Sequence, residues 1–373
     1  MHTPVIVKKR IVVWVKQHRS LASLVQLAFF VYLFIFSLDL MGTSLKMFGG
    51  GFARTLIQTT ASPFVGFFIG VLSTSIIQSS SSTTSIVVGM VAGGVLRIES
   101  AIPIIMGANI GTSITNILAS LPQMNRISEF KRSFSAAIVH DFFNWLTVLV
   151  LFPIQIMTDF LGIAATFLGD AFQNIGGLTF LSPVKALTDP PVMVLKESIG
   201  SHPWILVILS LLLLLFSLKK MVDALKALVV EKAEVWFDKY LFRTALRAFL
   251  VGILLTVMVQ SSSITTSLVV PMAGAGILSL EQIFPYTLGS NIGTTVTAIL
   301  AALVTGNLAA IIVAFSHLLF NLCGMILWWP LRFLPILLAR IFSEYSMRNR
   351  IIPFAFIIIT FFIIPFLGVY LMR

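Results

Sequence analysis

Apolar runs separated by short polar segments fill the chain. Four of them, Leu21 to Leu38, Trp204 to Leu218, Leu308 to Trp329 and Ile351 to Leu371, approach the roughly 20 residues that carry a helix across hydrocarbon. Ser133 to Phe152 adds another crossing. Because a helix pairs its own backbone groups, runs of this kind predict an all-α polytopic membrane protein. Two polar segments interrupt the pattern in the same way. Gln78-Ser79-Ser80-Ser81-Ser82-Thr83-Thr84-Ser85 returns as Gln260-Ser261-Ser262-Ser263-Ile264-Thr265-Thr266-Ser267, an offset of 182. The same offset carries Glu99 to Glu281, Pro103 to Pro285, and Gly107-Ala108-Asn109-Ile110-Gly111-Thr112 to Gly289-Ser290-Asn291-Ile292-Gly293-Thr294. Further on, Ala137-Ile138-Val139-His140-Asp141-Phe142-Phe143-Asn144 matches Ala314-Phe315-Ser316-His317-Leu318-Leu319-Phe320-Asn321 at an offset of 177, as a five-residue shortening of the intervening linker requires. Asp141 alone among the ionisable positions of this stretch has no counterpart, because Leu318 stands there.

A duplicated membrane unit with a helix-breaking polar segment in each copy predicts broken or re-entrant helices and a binding site where the copies meet, the plan of alternating-access carriers. The pattern divides the chain into an N-terminus with the first transmembrane helix (1–41), a first repeat (42–170), an external loop (171–203), a transmembrane helix with a basic segment (204–248), a second repeat (249–342) and a C-terminal transmembrane helix (343–373). Leu21 to Leu38 is longer than the apolar core of a leader peptide, so it is kept as the first transmembrane helix. The stretch Leu331 to Phe342 is helix-like and is expected either to cross or to lie in the interface.

Charge sets the expected orientation. Lys8, Lys9, Arg10, Lys16 and Arg19 precede the first run, and basic flanks stay cytoplasmic. The first copy's linker carries Arg126, Lys131 and Arg132, whereas the second copy's linker, Thr305-Gly306-Asn307, carries no charge. With Lys219 to Arg247 also cytoplasmic, the two copies are expected to have inverted topology.

Composition agrees with a membrane protein and narrows its partners. Of 373 residues 58% are hydrophobic and 10% charged, against about 25% charged in a soluble domain. The net charge of +11 sits at the ends of apolar runs, next to the lipid bilayer. No soluble fold presents it to nucleic acid, so no nucleic-acid partner is expected. The single cysteine, Cys323, excludes an internal disulfide and reads as a small apolar packing residue.

Gln-Ser-Ser-Ser offers an amide and three hydroxyls in a row, and a broken helix adds free backbone groups that must be buried in protein or line a cavity. Such donors bind an oxyanion, strengthened by a helix N-terminus. Hydroxyl and carbonyl oxygens also coordinate a hard cation, so one site built this way holds an anion beside its coupling cation. A serine run also packs helices closely, but repetition of seven polar positions at one offset favours function over packing. An intramembrane carboxylate such as Asp141 is costly and points to a cation-site role. His140 and His317 suit bonding across helices as well as substrate contact, and Glu99 and Glu281 are expected near membrane boundaries.

These motifs, with Val139-His140-Asp141-Phe142-Phe143-Asn144-Trp145, resemble the type II sodium-dependent phosphate cotransporter family over roughly residues 60–155 and 245–325. The resemblance implies Na⁺-coupled, non-enzymatic symport of inorganic phosphate, held by Gln78, Ser79, Ser80, Ser81, Gln260, Ser261, Ser262 and Ser263, with Asn109 and Asn291 beside them. By the same resemblance Asp141 is a Na⁺ residue of an electrogenic member. Ser290, Thr294, Thr297 and Gln123 are similar to a further Na⁺ site, and Thr112 and Thr115 complete the Na⁺ candidates. Two departures stand out. Animal members carry an Asp shortly after the equivalent of Gln123, where this chain has Asn125-Arg126. Its external segment between the halves is short and cysteine-free, which fits a multi-pass protein of a bacterial inner membrane and leaves oligomerisation open. The alternatives weighed against this resemblance are a carrier of another small anion, a channel, and an intramembrane serine hydrolase using His140 or His317 as base. The hydrolase is disfavoured because catalysis needs one activated serine rather than a symmetric run.

Overall fold

A computed structural model describes residues 4–48, 58, 60, 62–174, 182–236 and 242–372. Among them there is no strand. The helices are α1 (Pro4–Met47), α2 (Pro63–Ile77), α3 (Ser80–Ala92), α4 (Ile98–Thr112), α5 (Ile114–Ser120), α6 (Ile127–Thr158), α7 (Phe160–Asn174), α8 (Ser182–Ile199), α9 (Pro203–Trp236), α10 (Ala245–Val259), α11 (Ser262–Gly274), α12 (Leu280–Thr305), α13 (Leu308–Trp328) and α14 (Phe333–Ser346). The last, α15 (Ile351–Leu371), contains a π-helical turn at Ile359–Ile363. Seven segments are long and apolar enough to cross a membrane: Val25–Met47 in α1, Ile98–Gln123, α6, Pro203–Lys220 in α9, α12, α13 and α15. Parts of the expected external segments (49–57 and 175–181) and of the basic segment (237–241) lie outside the described residues. So do the side chains of the N-terminal basic residues. Within the expected loop 171–203, α8 is helical.

The sequence repeat is a structural repeat. In each copy two helices that run side by side in the same direction, α2 with α4 and α10 with α12, pack so closely that only glycine fits. A Cβ at Gly70 would overlap the Ile104 carbonyl oxygen, and one at Gly107 the Phe67 carbonyl oxygen. A Cβ at Gly252 would overlap the Tyr286 carbonyl, and one at Gly289 the Phe249 carbonyl. All four contacts map onto one another at the offset of 182. Thr74 and Thr83 bond through their hydroxyls at 2.9 Å, and their counterparts Thr256 and Thr265 at 2.8 Å.

The repeat also reaches further than the motifs suggest. Phe36-Ser37-Leu38 with Met41 in α1 matches Phe216-Ser217-Leu218 with Met221 in α9 at an offset of 180, and α1 packs along α9. Ser37 and Ser217 are both buried and bond the carbonyl three residues back. At the other end α7 packs on α13 while α14 packs on α6, so each copy's last helix lies against the opposite copy. The first helix does not stop at the expected boundary near residue 41, because α1 continues to Met47.

One element differs between the copies. Whereas α12 is continuous over 26 residues, its counterpart is interrupted at Ser113 between α4 and α5. Ser113 donates its hydroxyl to Asp141 Oδ1 at 2.6 Å. Ser113 also bonds its own helix at Ile110 O at 2.7 Å, as Thr295 does at Ile292 O, but in the second copy Leu318 stands where the carboxylate would be.

Candidate functional site: two facing helix tips

Each Gln-Ser pair breaks a helix within two residues. Gln78 caps the end of α2 in the left-handed conformation (φ 57°), with its amide on Thr74 O at 2.7 Å. Ser79 then starts α3, its side chain accepting from the Ser82 amide at 3.2 Å. Gln260 (φ 55°) and Ser261 do the same between α10 and α11, with Gln260 N on Thr256 O at 2.7 Å and Ile264 N on Ser261 Oγ at 3.4 Å. A left-handed residue other than glycine costs roughly 1–2 kcal/mol, so glutamine is held there by its surroundings. The two tips meet. Ser81 Oγ donates to Gln260 O at 3.5 Å and Ser263 Oγ donates to Gln78 O at 3.4 Å. This exchange of equivalent contacts is what a two-fold relation produces. Both distances are at the long limit of a hydrogen bond, so the tips are held together weakly. The N-termini of α3 and α11 thus converge with buried Ser80, Ser81, Ser262 and Ser263 around them, an arrangement that favours negative charge.

The tips are alike in backbone but not in side chain. Gln260 folds back, donating to Val257 O at 2.7 Å and accepting from Thr297 Oγ1 at 2.7 Å. Gln78 is exposed, and Thr115, the counterpart of Thr297, is half-buried with its hydroxyl oxygen buried and without a hydrogen-bond partner.

Beside the tips a buried polar chain crosses from copy to copy. Asn116 Nδ2 lies 2.9 Å from His140 Nδ1, and His140 Nε2 lies 2.8 Å from Asn291 Oδ1. Asn291 donates to Asn144 Oδ1 at 3.0 Å, and Asn144 donates to Asn109 O at 2.8 Å. Thr266 Oγ1 and Ser267 Oγ approach Asn116 Oδ1 at 2.8 and 3.2 Å. His140 therefore has both ring nitrogens engaged by amides, and neither ring nitrogen of His317 has a partner. Neither histidine bonds a serine of the motifs.

The Na+/Pi-cotransporter family model matches residues 33–180 and 213–326, which include both tips and both histidine segments. The chain belongs to the Na+/Pi-cotransporter family. It is 33% identical to sodium-dependent phosphate transport protein 2B of Homo sapiens, over 93% of this chain and 65% of that protein. It is 32% identical to protein 2A of Rattus norvegicus, over 90% of this chain and 65% of that one, and 32% identical to protein 2A of Oryctolagus cuniculus, over 93% and 67%. The chain thus spans about 65% of the length of the first of these relatives. No solved structure matches it.

In this Na+/Pi-cotransporter family member the residues expected to hold Na⁺ fall into separate places. Asp141, only 1% exposed, is tied by Ser113 to the α4–α5 interruption, where Thr112 and Thr115 also lie. Its Oδ2 has no partner, and neither has Thr115 Oγ1. An orphaned buried carboxylate oxygen is a group suited to a hard cation, and the orphaned Thr115 hydroxyl belongs to the same helix interruption. On α12, Ser290 Oγ is buried without a partner, Thr294 bonds Ser290 O at 3.0 Å, and Thr297 bonds the Gln260 side chain. Gln123 does not join them. It sits beside Gly274, at the opposite end of α11 from the tip where Thr297 bonds, about 18 Å away along a helix of that length. Its Oε1 is buried and unpartnered there.

Asn109 and Asn291 are 5% and 3% exposed. Asn291 joins the polar chain, while Asn109 turns its amide to Ile105 O at 3.2 Å. Ser113 and Asn116 are candidate site residues that motif matching passes over, and Asn144 lies in the matched His-containing segment without standing out as a candidate. Ser113 and Asn116 are legible only as places where the copies differ, against Thr295 and Ala298.

Proposed function

We propose that the protein is a secondary carrier that moves inorganic phosphate together with Na⁺ by alternating access, in a multi-pass arrangement across a bacterial inner membrane. The observation that carries this reading is the reciprocal contact of the two Gln-Ser-Ser-Ser tips, which brings two helix N-termini and their serine hydroxyls to one place. Phosphate binds between the tips, parting their two long hydrogen bonds and taking the donors of Ser79 to Ser81 and Ser261 to Ser263. The two-fold exchange of contacts, with the charged first linker and uncharged second, supports inverted copies whose axis lies in the membrane plane. The names of the relatives, sodium-dependent phosphate transport proteins, agree with this substrate and coupling ion.

Asp141 supplies the charge of one Na⁺ site, with the unpartnered Thr115 hydroxyl just past the α4–α5 interruption as a candidate further oxygen, which makes the cycle electrogenic. Ser290, Thr294 and Thr297 offer oxygens for a second, without Gln123 in this conformation. Uptake of radiolabelled phosphate into proteoliposomes under an imposed Na⁺ gradient, with K⁺ as control, tests the reading. Saturable accumulation that requires Na⁺ is expected, and its absence overturns Na⁺-phosphate coupling. Asp141→Asn is expected to lower the transport current by about an order of magnitude more than the phosphate flux, read by parallel current and flux recordings. A serine hydrolase is disfavoured because neither histidine is within hydrogen-bond reach of a motif serine.

A further inference from the structure

The two copies differ at one buried position that decides how their histidines are held. In the first copy Asn116 faces the His140 ring with its Nδ2 and takes Thr266 and Ser267 on its Oδ1. With a donor on Nδ1, the ring carries its proton on Nε2 and gives it to Asn291 Oδ1. Asn291 is then fixed from both ends, since its Nδ2 donates to Asn144. The offset of 182 carries Thr266 to Thr84, Ser267 to Ser85, Asn291 to Asn109 and Asn116 to Ala298, and His140 corresponds to His317. Every member of the counterpart set is present except the amide.

The consequences are on the same side of the molecule. His317 is completely buried and neither ring nitrogen has a partner. Ser85 Oγ is buried and unpartnered, where Ser267 approaches Asn116. Asn109 bonds its own helix at Ile105 O instead of a histidine. Helices α3, α12 and α13, which carry Ser85, Ala298 and His317, pack against one another, so these groups share one region of the interior. The exchange of Asn for Ala removes the partner that would serve one His317 ring nitrogen and Ser85, and the second ring nitrogen is unpartnered because Asn109 bonds its own helix; native interiors seldom tolerate such atoms without a use.

We propose that Asn116 is a positioning residue that, through His140, holds the Asn291 amide in one orientation, and that Ala298 leaves Asn109 free to turn, making Asn109 the ligand-responsive half of the site. The identity of the ligand rests on the transport reading above; the lock and its absence do not. An unpaired His317 offers Asn109 a second resting place, so its amide has two alternatives whereas that of Asn291 has one.

Nitrogen-15 NMR of the full chain labelled at histidine tests this without substrate. His140 is expected as a single neutral tautomer protonated on Nε2, and His317 as a ring exchanging between tautomers. Asn116→Ala should convert the His140 signal to exchange. Ala298→Asn, which adds the missing amide at a fully buried position, should convert His317 to a single tautomer. Proteoliposome uptake supplies the functional readout. Asn116→Ala is expected to raise the half-saturating phosphate concentration several-fold with a smaller change in maximal rate. Ala298→Asn should instead lower the maximal rate several-fold, by holding the half of the site that must move. A His317 signal that Ala298→Asn leaves unchanged, or a His140 signal that Asn116→Ala leaves unchanged, overturns the proposal. Histidine signals that respond as stated in a protein that carries no phosphate would sink the transport reading and leave the lock standing.

Discussion

Ser79 and Ser261 show how much one side chain does at a helix tip. Each accepts from the backbone three residues on and so starts the helix that points at the site. The hydroxyl that caps the helix is also a donor to any anion bound there, so its removal should act on stability and on binding together. Ser79→Ala and Ser261→Ala are each expected to cost about 1 kcal/mol of stability, read as a fall of a few degrees in the melting temperature in detergent. Both should also weaken phosphate binding, measured as the rise in melting temperature on adding phosphate with Na⁺. Loss of function in only one of the two variants would contradict a site shared equally by the tips.

Helices here are positioned by their smallest residues. Among apolar helices in lipid no hydrophobic force selects one partner over another, and close backbone approach at small residues does so instead. Gly70 and Gly107 seat α2 against α4, and Gly252 and Gly289 seat α10 against α12, with the carbonyl of the partner helix where a Cβ would be. Gly107→Ala and Gly289→Ala are therefore expected to destabilise by about 1–3 kcal/mol or more, seen as loss of the monodisperse peak in fluorescence-detected size-exclusion chromatography. Gly94, with open space around it, carries no packing contact. Its φ of 74° still makes an alanine strained there, so the milder effect expected from Gly94→Ala would separate backbone strain from helix packing.

Across the whole molecule the two copies are tied asymmetrically. At the far end of α11, Arg132 of the first copy donates to Gly274 O at 2.9 Å, a cation on a helix C-terminus. Lys131 pairs with Glu344 at 3.5 Å, and Ser343 bonds Lys131 O at 2.9 Å. Together with the Asn116 to Asn144 chain these contacts hold one side of the copy-to-copy boundary, while the His317 side lacks the equivalent amide. The proposed inversion is open to direct test. In a Cys323→Ala background, Ser128→Cys and Thr305→Cys are expected to react with an impermeant maleimide from opposite faces of the membrane. Labelling of both from the same face would rule out inverted copies.

Apolar run length was enough to announce an all-helical membrane protein, because backbone pairing in lipid leaves few other solutions. The repetition of Gln-Ser-Ser-Ser, Asn-Ile-Gly-Thr and the His-containing segment at nearly constant offsets was equally plain, since duplication writes itself as identity at fixed spacing. The α1 and α9 members of the repeat were harder to see, because only Phe-Ser-Leu and one Met survive among leucines that any membrane helix carries. What the folded chain alone decided is which polar groups meet. That Gln78 is exposed while Gln260 is bonded to Thr297, that Asp141 reaches Ser113, that Gln123 lies at the opposite end of α11 from Thr297, and that His140 is held while His317 is not all depend on which helices are neighbours. Hydrogen bonds act over about 3 Å and between residues far apart in the chain. Local sequence therefore names the donors and acceptors, and packing alone assigns their partners.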